Sequence, residues 1–498
     1  MPIQDAMERV GNFDEVTYGY SVEDTLRECE RCLYCPEPAC IASCPVAIDI
    51  PGFIEKISAK DYRGAYDVIS ETNLLPAICG RVCPQEDQCE GVCPVGDPLK
   101  PVAIGRLERW VGDLAIAENW VNVPYIEPNG FKIGIVGSGP AGIACAAEMA
   151  KAGCDVTIYE ALHLPGGVLR YGIPDFRLPN SVVDQEIENL KKLGVKIECN
   201  VLIGRLFTIQ QMVDEFGYDA IFIGTGAGYP KFMGIEGESL NGVVSANELL
   251  TRCNLMHAGE FPAYDTPLHL GKRVAIIGAG NTAMDAMRVA LRQGAEKVYC
   301  VYRRTKAESP ARAEEIDHAE EEGVDFQWLT APVEILDDGD GNVRAMRCIR
   351  MELGEPDDSG RRRPVPIEDS DYEFETDMVV YAIGTNANPI IGQTSKIKLN
   401  EWGYVEVDDN LATSMAGVYA GGDIVTGAAT VILAMGLGRR AAHNMKAYLG
   451  IRDTNIVYAG HPTETDETLF GIAANERNFH RVRLAKDITS STEEEIHA

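Results

Sequence analysis

One stretch, KIGIVGSGPAGIACAAEMAKAGCDVTIYE at residues 132–160, constrains the fold more than any other part of the chain. Its apolar pattern predicts a buried strand, a glycine-rich turn that opens a helix, and a second strand. In such a unit Gly137 makes a tight turn, Gly139 lets the backbone approach a diphosphate, and Gly142 lets the helix pack on the strand. The stretch therefore predicts a doubly wound α/β domain that binds a dinucleotide.

The first helical turn and the end of the second strand carry the predicted contacts with this dinucleotide. Free N–H groups and the helix dipole favour a diphosphate at the helix N-terminus, where Pro140 and Ala141 lie. Glu160 ends the second strand and is placed to accept hydrogen bonds from a ribose. A βα turn that binds no ligand is the alternative interpretation.

Length and charge limit the classes of function. A chain of 498 residues has room for about three domains, and its net charge of -31 disfavours nucleic acid as a partner. No apolar run reaches the length of about 18 residues that predicts a membrane span. The first 16 residues have no apolar core typical of a signal peptide. We therefore expect a cytoplasmic protein without a membrane partner.

Cysteines are crowded near the start of the chain, where nine of the 15 fall between Cys29 and Cys93. In a reducing compartment such crowding indicates metal or redox chemistry rather than disulfides. The spacings favour iron–sulfur clusters; zinc and merely buried thiols are the alternatives. Cys29 offers a competing register for the first group and is treated as a spare. The remaining eight are Cys32, Cys35, Cys40, Cys44, Cys79, Cys83, Cys89 and Cys93.

A second strand–glycine–helix unit begins at residue 272. Its turn contains Gly278, Gly280, Asn281 and Thr282, with an alanine in place of the third glycine, which helix packing tolerates.

The end of the second strand in this unit differs from that in the first. Arg303 and Arg304 stand where the first unit has an acid. Arginines can clamp a 2′-phosphate that an acid would repel, so this unit is predicted to prefer NADP(H). Two arginines on a solvated strand end are the alternative.

Later glycine-rich segments add predicted cofactor contacts. Gly167 lies in a loop after the first unit, and Gly226 closes a later strand. A strand at 418–420 runs into Gly422 and Asp423, and a helix then begins at Thr430 and Val431. This arrangement resembles the second flavin contact of flavoproteins with two dinucleotide domains, in which an Asp bonds the ribityl chain. The last 48 residues have little periodicity and are predicted to be a surface strap or a partner contact.

Three further segments carry a resemblance to a known family: GRVCPQ at 80–85, YGIPDFRLP at 171–179 and LGEPDDSGRRRP at 353–364. With both glycine units, they make the chain resemble the small (β) subunit family of NADPH-dependent glutamate synthase. It is also similar in character to the large subunit of NADH-dependent ferredoxin:NADP oxidoreductase, the sulfide dehydrogenase type. The resemblance implies an α/β fold with two Rossmann-like domains, as in disulfide reductases, preceded by a helical domain with two 4Fe–4S clusters.

The resemblance also implies domain boundaries. The helical iron–sulfur domain is expected at 1–128 and a tail at 451–498. The FAD-binding domain would be discontinuous, at 129–245 and 372–450, with the NADP(H)-binding domain at 246–371.

Cluster ligands follow from the same resemblance. The first cluster would take Cys32, Cys35, Cys40 and Cys93, and the second would take Cys44, Cys83, Cys89 and the carboxylate of Glu108. Cys79 competes as the eighth ligand. Surface exposure of Glu108, or a salt bridge to Arg81 or Arg106, is the alternative role for this carboxylate.

The implied function is electron transfer between NADP(H), FAD, two clusters and a partner subunit. One form is electron bifurcation, as in ferredoxin:NADP oxidoreductase, with a small flavoprotein as partner and ferredoxin as a further one. The alternative is supply of electrons to the large, glutamate-forming subunit of glutamate synthase. Hydride transfer needs no dedicated proton-transfer residue, and none is predicted.

Overall fold

The computed structural model describes residues 1–120, 126–357 and 360–451. Helices dominate the first 120 residues, and the helices beyond them alternate with strands. The helices are α1 Ala6–Arg9, α2 Val22–Cys29, α3 Ala39–Ala42, α4 Ile50–Ser58, α5 Tyr62–Ser70, α6 Pro76–Val82, α7 Ile104–Ala117, α8 Pro140–Lys151, α9 Val168–Tyr171, α10 Asn180–Lys192, α11 Ile209–Asp214, α12 Ala246–Leu250, α13 Asn281–Arg292, α14 Ala313–Glu321, α15 Ile390–Ser395, α16 Asp423–Thr426 and α17 Val431–Tyr448.

The strands form two parallel sheets and one smaller antiparallel sheet, with a separate short pair. They are β1 Lys132–Val136, β2 Asp155–Tyr159, β3 Lys196–Glu198, β4 Ala220–Ile223, β5 Tyr229–Pro230, β6 Val243–Ser245, β7 Arg273–Ile277, β8 Lys297–Tyr302, β9 Asp325–Trp328, β10 Thr330–Asp337, β11 Val343–Pro356, β12 Arg362–Pro366, β13 Tyr372–Glu375, β14 Met378–Tyr381, β15 Thr385–Asn386 and β16 Val418–Ala420.

The N-terminal domain is a set of short helices, and capping residues in the sequence explain where two of them begin. Asp49 and Asp61 cap α4 and α5, since their carboxylates accept hydrogen bonds from the backbone N–H groups of Gly52 and Gly64. Both helices turn an apolar face inward, with Phe53 and Ile57 buried on α4 and Ala65 and Ile69 buried on α5. The helices α6 and α7 approach closely, because a Cβ on Gly112 would lie only 2.4 Å from the backbone nitrogen of Ala77.

The first parallel sheet contains the first glycine unit and has the strand order β16-β4-β1-β2-β3. Every neighbouring pair in it is parallel. Its central strand β1 is buried from Ile133 onward, as a sheet covered on both faces requires. The helices α8 and α17 pack on one another beside this sheet. The predicted α/β class is confirmed.

The second parallel sheet has the order β6-β14-β7-β8-β9 and contains the second glycine unit. The strand β14 pairs with β7, with Met378 opposite Val274, and it also pairs with β6. The predicted boundaries assigned both β6 and β14 to the FAD-binding domain, and for these two strands the boundaries are wrong. The physical reason is that β14 fills the sheet position next to the glycine-loop strand, which only distant pairing could reveal.

An antiparallel sheet of β10, β11, β12 and β13 extends from the second unit. The polar LGEPDDSGRRRP segment at 353–364 contains part of the β11–β12 pairing, in which Pro356 lies opposite Arg362. The turn between these strands includes residues 358 and 359, which lie outside the described residues.

The first 16 residues pack against the second glycine unit. Arg9 is 1% exposed, and its Nε donates to Glu322 at 2.8 Å next to the end of α14. The backbone nitrogen of Val16 donates to the carbonyl of Phe176 at 2.9 Å. The opening segment therefore contacts the second glycine unit through a buried arginine, and it also contacts the helical domain, where Glu15 pairs with Arg81 at 2.8 Å.

None of the described helices has the length and apolar character needed to cross a membrane. The C-terminal tail predicted as a strap or partner contact lies outside the described residues from 452 onward.

Candidate functional site

The first glycine loop leaves open space where a dinucleotide is predicted. Gly137 has a φ of +100°, and a Cβ there would lie 2.5 Å from the carbonyl oxygen of Gly224. A Cβ on Gly142 would lie 2.0 Å from the Gly137 carbonyl oxygen. The first glycine is therefore needed for the tight turn, and the third for the close packing of the helix. A Cβ on Gly139 would meet no atom within 4 Å, which leaves the N-terminus of α8 accessible to a diphosphate.

Glu160 is held in place by the loop itself. Its Oε2 accepts a hydrogen bond from the backbone N–H of Ser138 at 3.0 Å, and its Oε1 accepts one from Leu162 at 2.8 Å. A carboxylate oxygen can accept more than one hydrogen bond, so Oε1 retains capacity for a ribose hydroxyl. The Ser138 hydroxyl also binds Glu160 and accepts from Gly166 at 2.9 Å. Sequence reasoning missed Ser138, which ties the acid to the next glycine loop.

Other predicted contacts converge on the same loop. Gly167 has a φ of +55°, and a Cβ there would lie 2.9 Å from the Cα of Gly139. Gly422 has a φ of +77°, with its Cβ position 3.0 Å from the Cβ of Ala141. We call the space bounded by Gly137, Gly139, Gly167 and Gly422 the dinucleotide cradle. Close approach of neighbouring atoms requires Gly137, Gly167 and Gly422, whereas the position of Gly139 is open.

Gly226 and Thr430 complete the set on neighbouring elements. Gly226 follows β4 with a φ of +69°, and a Cβ there would meet nothing within 4 Å. Thr430 caps α17, since its hydroxyl accepts from the backbone N–H of Leu433 at 3.3 Å, directly before Val431.

Asp423 and Tyr171 bring titratable groups to this cradle. Burial raises the pKa of Asp423 to about 6, and a hydrogen bond from the backbone of Ala429 opposes part of that rise. Burial raises the pKa of Tyr171 to about 12, with further contributions from the carboxylates of Asp423 and Glu160. The phenol therefore lies close to both acids. Tyr171 was not predicted as a site residue, although it opens the YGIPDFRLP segment.

The second glycine loop repeats the geometry of the first. Gly278 has a φ of +126°, and a Cβ there would lie 2.3 Å from the carbonyl oxygen of Ala382. Gly280 has only Pro310 nearby, at 3.8 Å from its Cβ position. Asn281 begins α13 and is half-buried, whereas Thr282 is exposed. The open helix start suits a second nucleotide.

The two arginines predicted to hold a 2′-phosphate have different surroundings. Arg304 is 5% exposed, and its guanidinium binds Asp357 at 2.7 Å and the carbonyl of Arg362 at 2.8 Å. It therefore fastens the β11–β12 hairpin to the end of β8. Arg303 is exposed to solvent. Of the predicted pair, Arg303 has the accessible guanidinium.

Four cysteines form what we call the outer cysteine group: Cys32, Cys35, Cys40 and Cys93. All four are half-buried. Burial raises the pKa of the Cys40 thiol, and charge on Cys93, Cys32 and Cys35 adds to the rise, so the structure brings the group together. Cys29 is fully buried, and burial raises its pKa to about 12.

A second set lines a buried space that we call the inner cavity. Its polar side chains are Cys44, Cys83, Cys89 and Glu108, together with two glutamines. Four apolar residues from the helical domain and Ile432 from α17 complete the lining. The hydrogen bond with Cys79 and burial raise the pKa of the Cys83 thiol well above its usual value, and nearby Arg312 acts against the rise.

Glu108 lies inside the protein, on α7, with its carboxylate facing this cavity. It is 6% exposed, and its Oε1 accepts from the side chain of Asn73 at 2.6 Å. Burial raises its pKa to about 8. Arg81 pairs with Asp113 and Glu15.

Arg106, the other arginine considered for a salt bridge, pairs with Glu314 at 3.3 Å. The alternatives of a surface glutamate or of a salt bridge to either arginine are therefore wrong, because helix packing turns Glu108 inward.

Cys79 lies behind the inner cavity and is not one of its lining residues. Its sulfur is 3.7 Å from Asn73 Oδ1 and 3.7 Å from the sulfur of Met435. Cys79 also shares a hydrogen bond with the Cys83 thiol, so its sulfur contacts Asn73, Met435 and one cavity-lining cysteine.

Within the described residues, no group of three or more His, Cys, Asp or Glu side chains converges on a single ion. An iron–sulfur cluster differs from a single ion, because each of its irons takes its own protein ligand and its own atoms separate those ligands. Two separate sets of thiols, one half-buried and one buried with a carboxylate, therefore suit clusters better than they suit one zinc ion.

The first turns of α17 separate the dinucleotide cradle from the inner cavity. Thr430 and Val431 start the helix, Ala434 lies 3.7 Å from the Cβ position of Gly422 at the cradle, and Ile432 lines the cavity. One turn later a Cβ on Gly436 would lie 3.0 Å from the carbonyl oxygen of Pro45, next to Cys44. Pro45 and Gly436 are about 390 residues apart in sequence, so no local sequence pattern could have revealed that they are in contact.

Two family models match the chain. The family described as pyridine nucleotide-disulphide oxidoreductase matches residues 131–440. The model described as dihydropyrimidine dehydrogenase domain II, 4Fe-4S cluster, matches residues 9–120.

Named relatives cover most of the chain. The small chain of NADPH glutamate synthase from Azospirillum brasilense is 36% identical over 452 residues, which span 89% of this chain and 93% of that protein. The β subunit of the NADP(+)-dependent formate dehydrogenase from Moorella thermoacetica is 38% identical, over 86% of this chain and 61% of its own length. Mycobacterium tuberculosis FprA in complex with NADPH has the same fold, with a TM-score of 0.55, 20% identity, and coverage of 66% of this chain and 88% of that one.

Proposed function

Because the chain belongs to the pyridine nucleotide-disulphide oxidoreductase family, in the group of the glutamate synthase small subunits, we propose that it transfers electrons between NADP(H) and a partner subunit. It is an NADP(H)-dependent flavin iron–sulfur oxidoreductase. The electrons would pass through one FAD in the dinucleotide cradle and two 4Fe–4S clusters, one at the inner cavity and one at the outer cysteine group.

The protein's own residues bind and orient these groups. When bound, the nicotinamide supplies a hydride, the flavin exchanges two electrons or one, and the clusters carry single electrons. The start of α8 binds the FAD diphosphate, and Glu160 binds the ribose. The start of α13 binds the NADP(H) diphosphate, and Arg303 binds its 2′-phosphate.

The observation that carries this proposal is the position of α17. Ala434 lies 3.7 Å from the Cβ position of Gly422 at the dinucleotide cradle, and Ile432 lines the inner cavity, so residues within one turn of α17 contact both sites. A flavoprotein that exchanged electrons with a soluble substrate would gain nothing from a buried thiol set at this place. The short separation fits electron transfer from the flavin to the inner cluster.

We propose Cys44, Cys83, Cys89 and Glu108 as ligands of the inner cluster. Glu108 lines the cavity and lacks a cationic partner among the described residues, whereas Cys79 lies outside the lining. A carboxylate ligand would satisfy the otherwise costly burial of this acid.

The outer cysteine group is proposed to hold the cluster that meets the partner. Its cysteines are half-buried, and the exposed side chains of Tyr34 and Val92 are sequence neighbours of Cys35 and Cys93. Exposed apolar residues beside an electron exit favour contact with another protein. Both named relatives are themselves called a small chain or a subunit.

Two classes of partner remain as candidates. The first is a small flavoprotein of the ferredoxin:NADP type, which would make the complex bifurcating. The second is a glutamate-forming large subunit, and the match over 93% of a glutamate synthase small chain favours it.

Anaerobic mixing with NADPH tests the route. The flavin absorbance should bleach first and the broad iron–sulfur absorbance should follow. Cys89→Ala should keep flavin bleaching and lose electron delivery to the outer cluster. If the outer cluster of Cys89→Ala is reduced as fast as in the wild type, the inner site is not on the route. Copurification of the tagged chain identifies which partner class is present.

A further inference from the structure

The segment Ser309–Pro310–Ala311–Arg312, which precedes α14, lies directly against the second glycine loop. The hydroxyl of Ser309 donates to the carbonyl of Ala279 at 2.6 Å. The side-chain oxygen of Asn281 accepts from the backbone N–H of Arg312 at 3.1 Å. The backbone position of Arg312 is therefore set by the first residue of the nucleotide-facing helix.

The side chain of Arg312 leaves this unit and enters the helical domain. Its Nη1 donates to the carbonyl of Arg81 at 2.9 Å, and its Nη2 donates to the side-chain oxygen of Gln85 at 2.9 Å. The Nε lies 3.5 Å from Glu86 and has no hydrogen-bond partner among the described residues. Arg312 thus spans the boundary between the two domains.

Gln85 connects Arg312 to the inner cavity. It lines the cavity beside Cys83, and its amide donates to the carbonyls of Cys79 and Gly80 at 3.3 Å each. The guanidinium of Arg312 is therefore one side chain away from a thiol of the inner site. In a buried setting a charge at this range acts strongly, because little water screens it.

The guanidinium also has room to change position. A polar cavity of about 80 Å³ lies beside it and is lined by Gly80, Arg81 and Gln85 as well as Arg177. A side chain next to such a space can move without displacing packed core atoms.

We infer that Arg312 is a positioning residue that makes the reduction potential of the inner cluster depend on nucleotide occupancy of the second glycine loop. A nucleotide diphosphate at the start of α13 would fix Asn281, and Asn281 holds the backbone of Arg312. A positive charge close to a cluster favours its reduced, more negative form. The inference rests on the proposed inner cluster at Cys83 and Glu108.

A redox titration followed by EPR tests this inference on the anaerobically purified holoprotein, with and without NADP⁺. In the wild type, NADP⁺ should shift the midpoint potential of the inner cluster and leave the outer cluster unchanged. Arg312→Gln should lower the inner potential and lose the NADP⁺-dependent shift. Arg252→Gln is the matched control, because Arg252 is half-buried and pairs with Glu248, and it should behave as the wild type.

Arg312→Lys keeps the charge but cannot make the two-pronged contact with both Arg81 and Gln85. Its inner potential should lie nearer to the wild type, with a smaller nucleotide-dependent shift. A wild-type inner potential that ignores NADP⁺, or a full shift retained in Arg312→Gln or Arg312→Lys, would overturn the inference. A wild type with only one cluster signal and about four irons would instead overturn the proposed inner cluster itself.

Discussion

Glu108 shows how one residue distinguishes a redox site from an ordinary core. Taking a carboxylate out of water carries a penalty of several kcal/mol when no cation compensates it. Asn73 supplies one neutral hydrogen bond, and burial raises the pKa of Glu108 to about 8. An acid kept in such surroundings beside three thiols is better explained by a metal ligand role than by packing.

Substitution of Glu108 is expected to affect one cluster only. Glu108→Ala should change the EPR signal of the inner cluster and slow electron delivery to the partner, while NADPH still reduces the flavin, because the altered site lies beyond the flavin. Glu186→Ala is a matched control, since burial raises the pKa of Glu186 to about 8 and Asn189 is its hydrogen-bond partner.

Cys79→Ser belongs to the same experiment and should leave both cluster signals in place, because Cys79 is not among the residues that line the inner cavity and a serine hydroxyl can still bond Asn73. The assignment is reversed if Cys79→Ser abolishes a cluster while Glu108→Ala leaves both spectra unchanged.

Arg303 is expected to decide the preference for NADPH. Arg303→Ala should weaken NADPH binding by ~1.5–3 kcal/mol, roughly 10- to 200-fold in Kd, because a charge-assisted phosphate contact is lost. NADH binding should hardly change. Titration of flavin reduction or equilibrium binding measures both nucleotides.

Arg344→Ala is the matched control, as Arg344 is another exposed arginine, on the antiparallel sheet. Arg304→Ala should affect stability more than nucleotide choice, since it removes contacts with Asp357 and Arg362. Equal weakening of NADH and NADPH in Arg303→Ala would show that this arginine does not hold the phosphate.

At the scale of elements, α6 and α7 carry the inner cavity between them. Cys83 follows α6, and Glu108 lies on α7. Gly112 lets the helices touch, because a Cβ there would lie 2.4 Å from backbone nitrogen and 2.7 Å from the Cα of Ala77.

Gly112→Ala should therefore force the two helices apart and lower stability by about 1–3 kcal/mol. The variant should lose iron on purification and melt at a lower temperature. Gly11→Ala is the control, since its added Cβ would meet the nearest atom at an ordinary 3.5 Å. A variant Gly112→Ala with wild-type Tm and iron content would contradict this account of the helix pair.

Most of the features that the sequence predicts are individual helices, strands and turns. Both glycine units, α2 and the pair α4 and α5 have local causes, namely apolar period, capping acids and glycines at forced turns. Pairings between distant segments have no such local signal. The place of β14 in the second sheet and the bond from Arg304 to Asp357 therefore could not be predicted.

In the candidate site, too, residues with a local sequence signal could be predicted and residues known only from distant contacts could not. The cysteines, the glycines and Glu160 were found from residue type and spacing. The support around them was not: Ser138 beside Glu160, Gln85 and Ile432 at the inner cavity, and Arg312 between the domains. Polar and aliphatic residues in loops and on helices carry no distinctive spacing, so only their contacts reveal their roles.

At the scale of the whole molecule, a buried ionic network fastens the first residues to the second glycine unit. Glu322 binds Arg9, Arg288 and Arg292 at 2.6–3.2 Å. Burial alone would raise the pKa of Glu322, but hydrogen bonds from Arg292 and Arg288 outweigh it and lower the pKa to about 2. A carboxylate with a depressed folded-state pKa stabilises the fold above its unfolded pKa of about 4.3.

Glu322→Gln should therefore lower the free energy of unfolding at pH 7 by about 3–5 kcal/mol, because it leaves buried arginines uncompensated. The difference from the wild type should shrink as pH falls from about 5 towards 2. Thermal unfolding at several pH values measures it. Glu321→Gln is the neighbouring control: its carboxylate is 49% exposed and pairs only at the rim, so the change should be within about 1 kcal/mol. Equal effects of the two substitutions would contradict the role of the buried network.

We propose that one chain carries a flavin and two iron–sulfur clusters, the inner of them next to the flavin. Cofactor analysis of anaerobically purified protein tests it most directly. Each chain should contain one FAD and about eight irons with matching acid-labile sulfide, from two clusters of four irons each. A preparation rich in zinc, without the broad iron–sulfur absorbance, or one with about four irons and no signal that responds to Glu108→Ala, would contradict it.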